Sequence, residues 1–194
     1  MHDVTEQTIA TLRRQLADQD AELAALRQQR YELSRHDELT GVMNRRTLLE
    51  MLTAELQRSH RTGHPFCFAV IDLDHFRLIN EKFGPTVGDL VLKTISETSI
   101  NLLRMLDRFG RLGGEEFGIV LPATRLDSGV IAIKRLHAAI GACDWNRITP
   151  GTAITFSAGV TTNAAGDTPE ILIERAEKAL LQAKENGRNC TAIL

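Results

Sequence analysis

The residues best suited to chemistry are four carboxylates in two short segments. Asp72 and Asp74 close the apolar run FCFAVIDLD, and Glu115 and Glu116 directly follow the glycine pair of RLGGEEFGIVLP. Like charges a few ångströms apart repel by about 1 kcal/mol in water and by several times more in a partly buried site. Hard divalent cations such as Mg²⁺ offset that repulsion and bind carboxylate and phosphate oxygens together. The pattern therefore predicts metal-assisted phosphoryl transfer; the alternative is four solvated charges at strand ends.

The flanking residues predict how the two segments meet. FCFAVIDLDHF is apolar on both faces, which is typical of a central strand. Gly113-Gly114 predicts a two-residue hairpin turn, after which the two glutamates begin the second strand. If the strands are neighbours, the carboxylates converge at one edge of the sheet. Alternation then separates Glu115 from Glu116, and the sequence leaves open which of them faces the metal.

Helical patterns alternate with these strands. They cover about 44–59, 76–83, 87–103, 127–142 and 169–186, and further strands are predicted at 153–162 and at the closing NCTAIL. Mixed helices and strands with a tight hairpin predict an α+β fold, a central and mostly antiparallel sheet flanked by helices.

The first 35 residues differ from the rest, because they contain no glycine or proline. Apolar residues recur there on alternating three- and four-residue steps, at Ile9, Leu12, Leu16, Leu23, Leu26 and Leu33. This heptad pattern predicts a coiled coil that joins two copies in parallel; the alternative is one amphipathic helix lying on its own domain. Two domains follow, an N-terminal helical segment at 1–35 and a catalytic domain at 36–194.

Composition narrows the class of protein. The chain has 194 residues and a net charge of −2, which argues against broad nucleic-acid binding. Its three cysteines form no CxxC motif, which is typical of free thiols in a reducing cytoplasm. We expect a cytoplasmic protein with no membrane insertion in this chain, since no apolar run approaches the ~20 residues of a membrane span.

RLGGEEF resembles the defining motif of the GGDEF family, the diguanylate cyclases. DELTGVMNRR, DLDHFRLINEKFGPTVGD, SAGV and AEKALLQAKENGRN occur in the family's order and spacing, from about Asp37 to the C-terminus. The resemblance implies the GGDEF fold, shared with class III nucleotide cyclases and the palm of some polymerases. It also implies condensation of two GTP molecules into cyclic di-GMP, with release of pyrophosphate. Since two GTP molecules must face each other, a two-fold homodimer is expected.

The resemblance assigns the metal site residue by residue. Asp72, the backbone carbonyl of Leu73 and Glu115 match the family's ligands for Mg²⁺ or Mn²⁺, with two ions expected in each site. Glu115 also matches the base for the attacking 3′-hydroxyl, and Glu116 matches a supporting residue.

The substrate residues follow in the same way. Asn80 and Asp89 match the guanine readers, and an aspartate suits the N1 and N2 donors that adenine lacks. Lys184 and Arg188 match phosphate-contacting positions; otherwise they complement a helix C-terminus. Arg77 stands where the family commonly carries lysine.

A separate motif lies upstream of the glycine pair. Arg104 and Asp107 form the RxxD spacing that marks an inhibitory product site in the family, and Arg135 is expected to add a contact. Arginine can bind O6 and N7 of guanine; the alternative is a local ion pair. Two functions therefore remain open, an active cyclase and a silent module that binds cyclic di-GMP. Pro85, where histidine is common, departs from the family near the guanine pocket.

Overall fold

One five-stranded sheet carries both carboxylate segments. Its strands are β1 (Cys67–Leu73), β2 (Arg108–Gly113), β3 (Glu116–Leu121), β4 (Phe156–Thr162) and β5 (Thr191–Ile193). They lie in the order β2-β3-β1-β4-β5, with β5 parallel to β4 and the other neighbours antiparallel. The predicted central strand and mostly antiparallel sheet are confirmed.

Six helices accompany the sheet in the computed structural model, which we describe for residues 2–194, and for side chains at 12–27 and 34–194. The helices are α1 (His2–Leu33), α2 (Arg45–Thr62), α3 (Phe76–Phe83), α4 (Pro85–Leu102), α5 (Leu126–Gly141) and α6 (Pro169–Glu185). Predicted and observed boundaries differ by at most a few residues. None of the described helices is long and apolar enough to cross a membrane.

The chain divides into two compact units, residues 1–34 and 35–194. The first consists of helix α1. Its leucines at positions 12, 16, 23 and 26 are 46–60% exposed. Ile9 and Leu33, at the two ends of the predicted seam, lie outside the described side chains. The coiled coil therefore stays a prediction.

The core of the second unit lies on both faces of β1. Cys67, Ala69 and Ile71 pack with α4 and α5, while Phe68 and Val70 pack with α2 and α6. Every residue of β1 is buried. Because an alternating strand points successive side chains to opposite faces, this one strand joins the two helical layers. The edge at which β1 ends is thereby held rigidly from both sides.

Close packing between α6 and β4 places the C-terminal end of α6 beside the sheet. A Cβ at Gly159 in β4 would overlap the Ala176 carbonyl oxygen and the Leu180 amide nitrogen of α6. Since backbone atoms cannot move aside cheaply, only glycine fits at this crossing. The crossing brings the last turn of α6, with Lys184, to the end of β1.

Candidate active site

The register of β1 and β3 brings the two carboxylate segments together. Asp72 is the antiparallel partner of Glu116, and the Leu73 amide donates to the Glu115 carbonyl oxygen over 3.4 Å. Asp72 is buried, with 8% of its surface exposed. Glu115 is half-buried and Glu116 is exposed at the start of β3. Three of the four carboxylates thus lie at one edge of the sheet, as expected.

The turn of the hairpin differs from the prediction. Strand β2 extends through Gly113, and Gly114 and Glu115 form the turn. The pairing of β2 with β3 shifts register between Arg111 and Gly113, which moves the turn one residue along the chain. Glu115 is therefore a turn residue, and the expectation that strand alternation separates it from Glu116 was wrong.

Arg111 holds this turn in place. Its guanidinium donates to the Gly114 carbonyl oxygen at 2.6 and 2.9 Å, and it pairs with Asp37 at 3.2 Å. Burial raises the pKa of Asp37, but hydrogen bonds from Thr40 and Arg111, with the arginine charge, outweigh burial and leave it below its ordinary value. Sequence reasoning missed this contact, although Arg111 lies next to the glycine motif and Asp37 opens DELTG.

Asp74 does not face the carboxylate cluster. Its Oδ1 accepts from the Ser157 hydroxyl at 2.7 Å. Its Oδ2 accepts from the Thr155 hydroxyl at 2.7 Å and from the Asn189 amide at 3.0 Å. Of the up to four carboxylates expected to converge, Asp74 is therefore not one, because β1 ends at Leu73 and the next residue turns toward β4.

A lysine from α6 neutralises part of the cluster. The Lys184 ammonium lies 2.8 Å from Oδ1 of Asp72. Although the Glu116 residue as a whole is exposed, partial burial of its carboxylate, followed by the charge of Asp72, raises its pKa, and Lys184 offsets this in part. The edge therefore still favours further positive charge.

The site fits a divalent cation that takes few ligands from the protein. No group of three or more histidine, cysteine or carboxylate side chains in the described part of the chain is placed to hold a metal by itself. Mg²⁺ usually takes one or two carboxylates and completes its shell with water and substrate phosphates. Asp72 and Glu115 meet that requirement, and the ammonium of Lys184 already occupies a position where Asp72 accepts a cation.

The expected guanine readers lie where α3 packs on α4. Asn80 lies on α3, and its side chain is so close to Gly88 on α4 that a Cβ added to Gly88 would overlap Oδ1 of Asn80. This oxygen is buried and has no hydrogen-bond partner among the described residues. A buried acceptor without a partner is costly, so it indicates a place for a ligand donor. Asp89 follows Gly88 and is exposed.

The other predicted phosphate residues are exposed. Arg188 lies in the turn after α6 with a left-handed backbone, φ 65°. Arg77 lies on the open face of α3 and pairs with Glu81 at 2.8 Å. The structure therefore brings Lys184 into the carboxylate cluster directly, whereas Arg77 makes its contact along its own helix.

Arg104, Asp107 and Arg135 line one cleft between α5 and the turn that follows α4. The Asp107 carboxylate accepts from the Arg104 amide at 2.8 Å, which closes that turn. The cleft continues over apolar side chains such as Ile131. The three residues predicted for a product site are thus neighbours around a single opening.

Adjoining carboxylates at the ends of β1 and β3, with a lysine beside them, are suited to phosphoryl transfer, and they lie at one edge of a mostly antiparallel sheet. Comparison with known proteins agrees. The sequence pattern of the family described as "Diguanylate cyclase, GGDEF domain" matches residues 34–190. The chain belongs to the GGDEF diguanylate cyclase family.

Individual relatives give the same result. Diguanylate cyclase DgcP of Pseudomonas aeruginosa is 44% identical over 153 residues, which are 79% of this chain and 23% of DgcP. Diguanylate cyclase SiaD of P. aeruginosa, solved with its activator SiaC, has a TM-score of 0.79 and 34% identity over 99% of this chain and 76% of SiaD. The coiled coil and GGDEF domain of DgcB from Caulobacter crescentus, solved with cyclic di-GMP, has a TM-score of 0.78 and 25% identity, covering 94% and 99%. The chain thus spans about a quarter of the length of DgcP.

Proposed function

We propose that this chain condenses two GTP molecules into cyclic di-GMP and releases two pyrophosphates. The observation that carries the proposal is the complete cluster at the sheet edge: Asp72 opposite Glu116, Glu115 in the adjoining turn, and Lys184 at 2.8 Å from Asp72. Relatives named as diguanylate cyclases support the same reaction.

Asp72, Glu115 and the Leu73 carbonyl would hold Mg²⁺ or Mn²⁺, with two ions in each site. The bound ions would offset the negative charge of the triphosphate and favour ionisation of the 3′-hydroxyl. Glu116, opposite Asp72, supports the cluster from the neighbouring strand.

The side chains of this chain bind and orient the substrate. Asn80 and Asp89 hydrogen-bond the guanine edge, where adenine would leave their acceptors unpaired. Lys184 and Arg188, with Arg77, bind the phosphates. Glu115 accepts the proton of the 3′-hydroxyl, whose oxygen then bonds the α-phosphorus of the other GTP as the bond to pyrophosphate breaks.

Each domain carries one set of these residues, so one domain holds one GTP. Forming two phosphodiester bonds requires two domains related by a two-fold axis. Helix α1 is suited to hold them together, since Leu12, Leu16, Leu23 and Leu26 are exposed along it. A tether of this kind raises the effective concentration to the order of millimolar. The coiled coil of DgcB supports this arrangement.

The cleft of Arg104, Asp107 and Arg135 would bind cyclic di-GMP and inhibit the enzyme. An arginine can donate to O6 and N7 of guanine while an aspartate accepts from its opposite edge. The same cleft supports a second candidate function, a catalytically silent receptor for cyclic di-GMP. The intact ligands Asp72 and Glu115 favour the enzyme, because a receptor does not need them.

Incubation of the purified chain with GTP and Mg²⁺ tests the proposal. Chromatography and mass spectrometry should identify cyclic di-GMP, with two pyrophosphates released for each product molecule. ATP in place of GTP should give no cyclic product. Binding of added cyclic di-GMP without any synthesis from GTP would contradict the enzyme and favour the receptor.

A further inference from the structure

The buried carboxylate of Asp74 joins three parts of the chain that are distant in sequence. The side chain is 5% exposed. Its donors are the Ser157 hydroxyl on Oδ1 and, on Oδ2, the Thr155 hydroxyl and the Asn189 backbone amide. The Asp74 amide in turn donates to the Thr155 carbonyl oxygen at 2.9 Å. Asp74 thus fixes the end of β1 to the start of β4 and to the turn after α6.

That turn has an unusual backbone. Gly187, Arg188 and Asn189 are consecutive and left-handed, with φ of 105°, 65° and 46°. Residues other than glycine adopt this conformation at a cost, so surrounding contacts must fix it. The contacts that do so include two backbone donors: the Arg188 amide donates to the Ala183 carbonyl oxygen at 3.1 Å, and the Asn189 amide donates to Asp74.

The direction in which Arg188 leaves the turn therefore depends on Asp74. Asp74 follows Asp72 by two residues on the same chain segment, and Asp72 contacts Lys184 on the last turn of α6. Two contacts therefore connect the end of β1 with the end of α6 and the turn that follows it: the Lys184–Asp72 ion pair and the Asn189–Asp74 hydrogen bond.

We propose that Asp74 is a positioning residue for substrate binding, which sets Arg188 at the distance from Asp72 that the triphosphate requires. The inference rests on the proposed function, in which Arg188 contacts phosphate. Asp74 acts through the turn and does not touch the substrate. Both of its oxygens are occupied by donors of the chain itself, which separates its role from that of Asp72.

Binding of 3′-deoxy-GTP with Mg²⁺ measures this effect apart from turnover, because the analogue lacks the attacking hydroxyl. In calorimetric titrations we expect Asp74→Ala to weaken binding about tenfold, as the turn loses a charge-assisted hydrogen bond. Asp74→Asn should remain within about threefold of wild type, since its amide oxygen can still accept from Asn189 while its NH₂ donates to the Ser157 oxygen.

Ser157→Ala is the matched control. It removes the 2.7 Å hydrogen bond on the other carboxylate oxygen and leaves the 3.0 Å bond to Asn189 in place. We expect it to change binding by less than about twofold, because the hydrogen bond that it removes connects Asp74 with β4 and not with the turn that carries Arg188. If Ser157→Ala weakens binding as much as Asp74→Ala, Asp74 acts on general stability and the inference is overturned.

A double-mutant cycle with Arg188→Ala identifies the route. If Asp74 acts through Arg188, Asp74→Ala should change binding by less than about twofold once Arg188 is absent. Additive losses in variants that remain folded by circular dichroism would overturn the inference and leave the proposed function intact. If Arg188→Ala alone binds the analogue like wild type, both the inference and the phosphate role of Arg188 are wrong. Should Asp74→Ala fail to fold, Asn189→Gly tests the same turn, because it keeps the amide and favours left-handed φ. It also removes the hydrogen bond between the Asn189 side chain and His137, so His137→Phe is its control. We expect both variants to bind like wild type, and a tenfold loss in Asn189→Gly alone would contradict a purely backbone link.

Discussion

Substitution of Gly88 by alanine tests the proposed guanine pocket with a single methyl group. The new Cβ would overlap Oδ1 of Asn80 and lie 3.2 Å from Cζ of Phe76. Oδ1 is the end of a side chain that can rotate, and it has no hydrogen-bond partner among the described residues. The Asn80 side chain must therefore move away from its present place, and its movement breaks no hydrogen bond within the described part of the chain.

The expected magnitudes separate folding from binding. Gly88 lies in the first turns of α4, where alanine is up to about 1 kcal/mol more favourable than glycine, so the free energy of unfolding should change by less than about 1 kcal/mol. Loss of a hydrogen bond between Asn80 and guanine, with one buried group left unpaired, costs about 1–3 kcal/mol. The KM for GTP should therefore rise about 5- to 150-fold, with a smaller effect on kcat.

Steady-state synthesis of cyclic di-GMP over a range of GTP concentrations measures this change. Gly141→Ala is the control, because Gly141 ends a helix and a Cβ there meets nothing within 4 Å. In the background of Asn80→Ala, the added Gly88→Ala should have little further effect, since both changes act on one side chain. A Gly88→Ala variant with a KM within twofold of wild type would refute the assignment of Asn80 to the guanine pocket.

The remaining predictions concern inhibition, assembly and pH. Arg104→Ala should relieve product inhibition and leave the initial rate unchanged; an unaltered inhibition curve with full binding of cyclic di-GMP would remove this cleft from the account. Glutamates at Leu16 and Leu23 should disrupt the seam, so that specific activity rises steeply with protein concentration; flat curves for both proteins, each monomeric by sedimentation, would refute a dimerising helix. Burial lowers the pKa of His137, whose ring stacks on Phe156. Near these pKa values the folded chain therefore binds fewer protons than the unfolded chain. The stability that neutral His137 contributes is fully present above its unfolded pKa, and it is lost as the pH falls through its folded pKa. In urea unfolding, wild type should lose stability relative to His137→Phe as the pH falls below about 6.5, the ordinary pKa of histidine, and a constant difference would contradict this.

The sequence predicts the fold well because its signals are local. The glycine and proline breaks and the apolar periodicity define the helices of the second unit to within a few residues. The run through Phe68 and Val70 is apolar on both faces, and it is the buried centre of the sheet. Periodicity reports burial directly, so these features required no knowledge of long-range contacts.

What the sequence does not predict depends on side chains that meet across the chain. The spacing of Asp72 and Asp74 is that of a shared face, but the second residue lies beyond the end of β1 and bonds residues of β4 and the turn at 189. Likewise, the register shift before Gly113 moves Glu115 into the turn, and no local pattern announces it. Residues that act by contacting distant segments become recognisable only in the structure.

The ion pair between Arg111 and Asp37 is a further example. It connects the first segment of the second unit with the turn that carries Glu115, and it spans 74 positions of the chain. Either residue alone is an ordinary charged side chain in the sequence. Together they fix the Gly114 carbonyl and thereby the backbone that presents Glu115.

The synthesis rate of Glu115→Gln tests the central claim most directly. The substitution keeps the size of the side chain and removes its charge, which in the proposed mechanism both holds a cation and accepts the proton of the 3′-hydroxyl. Glu97→Gln, an exposed glutamate on α4, makes the same chemical change away from the site. Cyclic di-GMP formation from GTP and Mg²⁺ should fall at least about 100-fold in Glu115→Gln and stay at the wild-type level in Glu97→Gln. A folded Glu115→Gln variant that makes cyclic di-GMP within a few-fold of wild type would contradict the account.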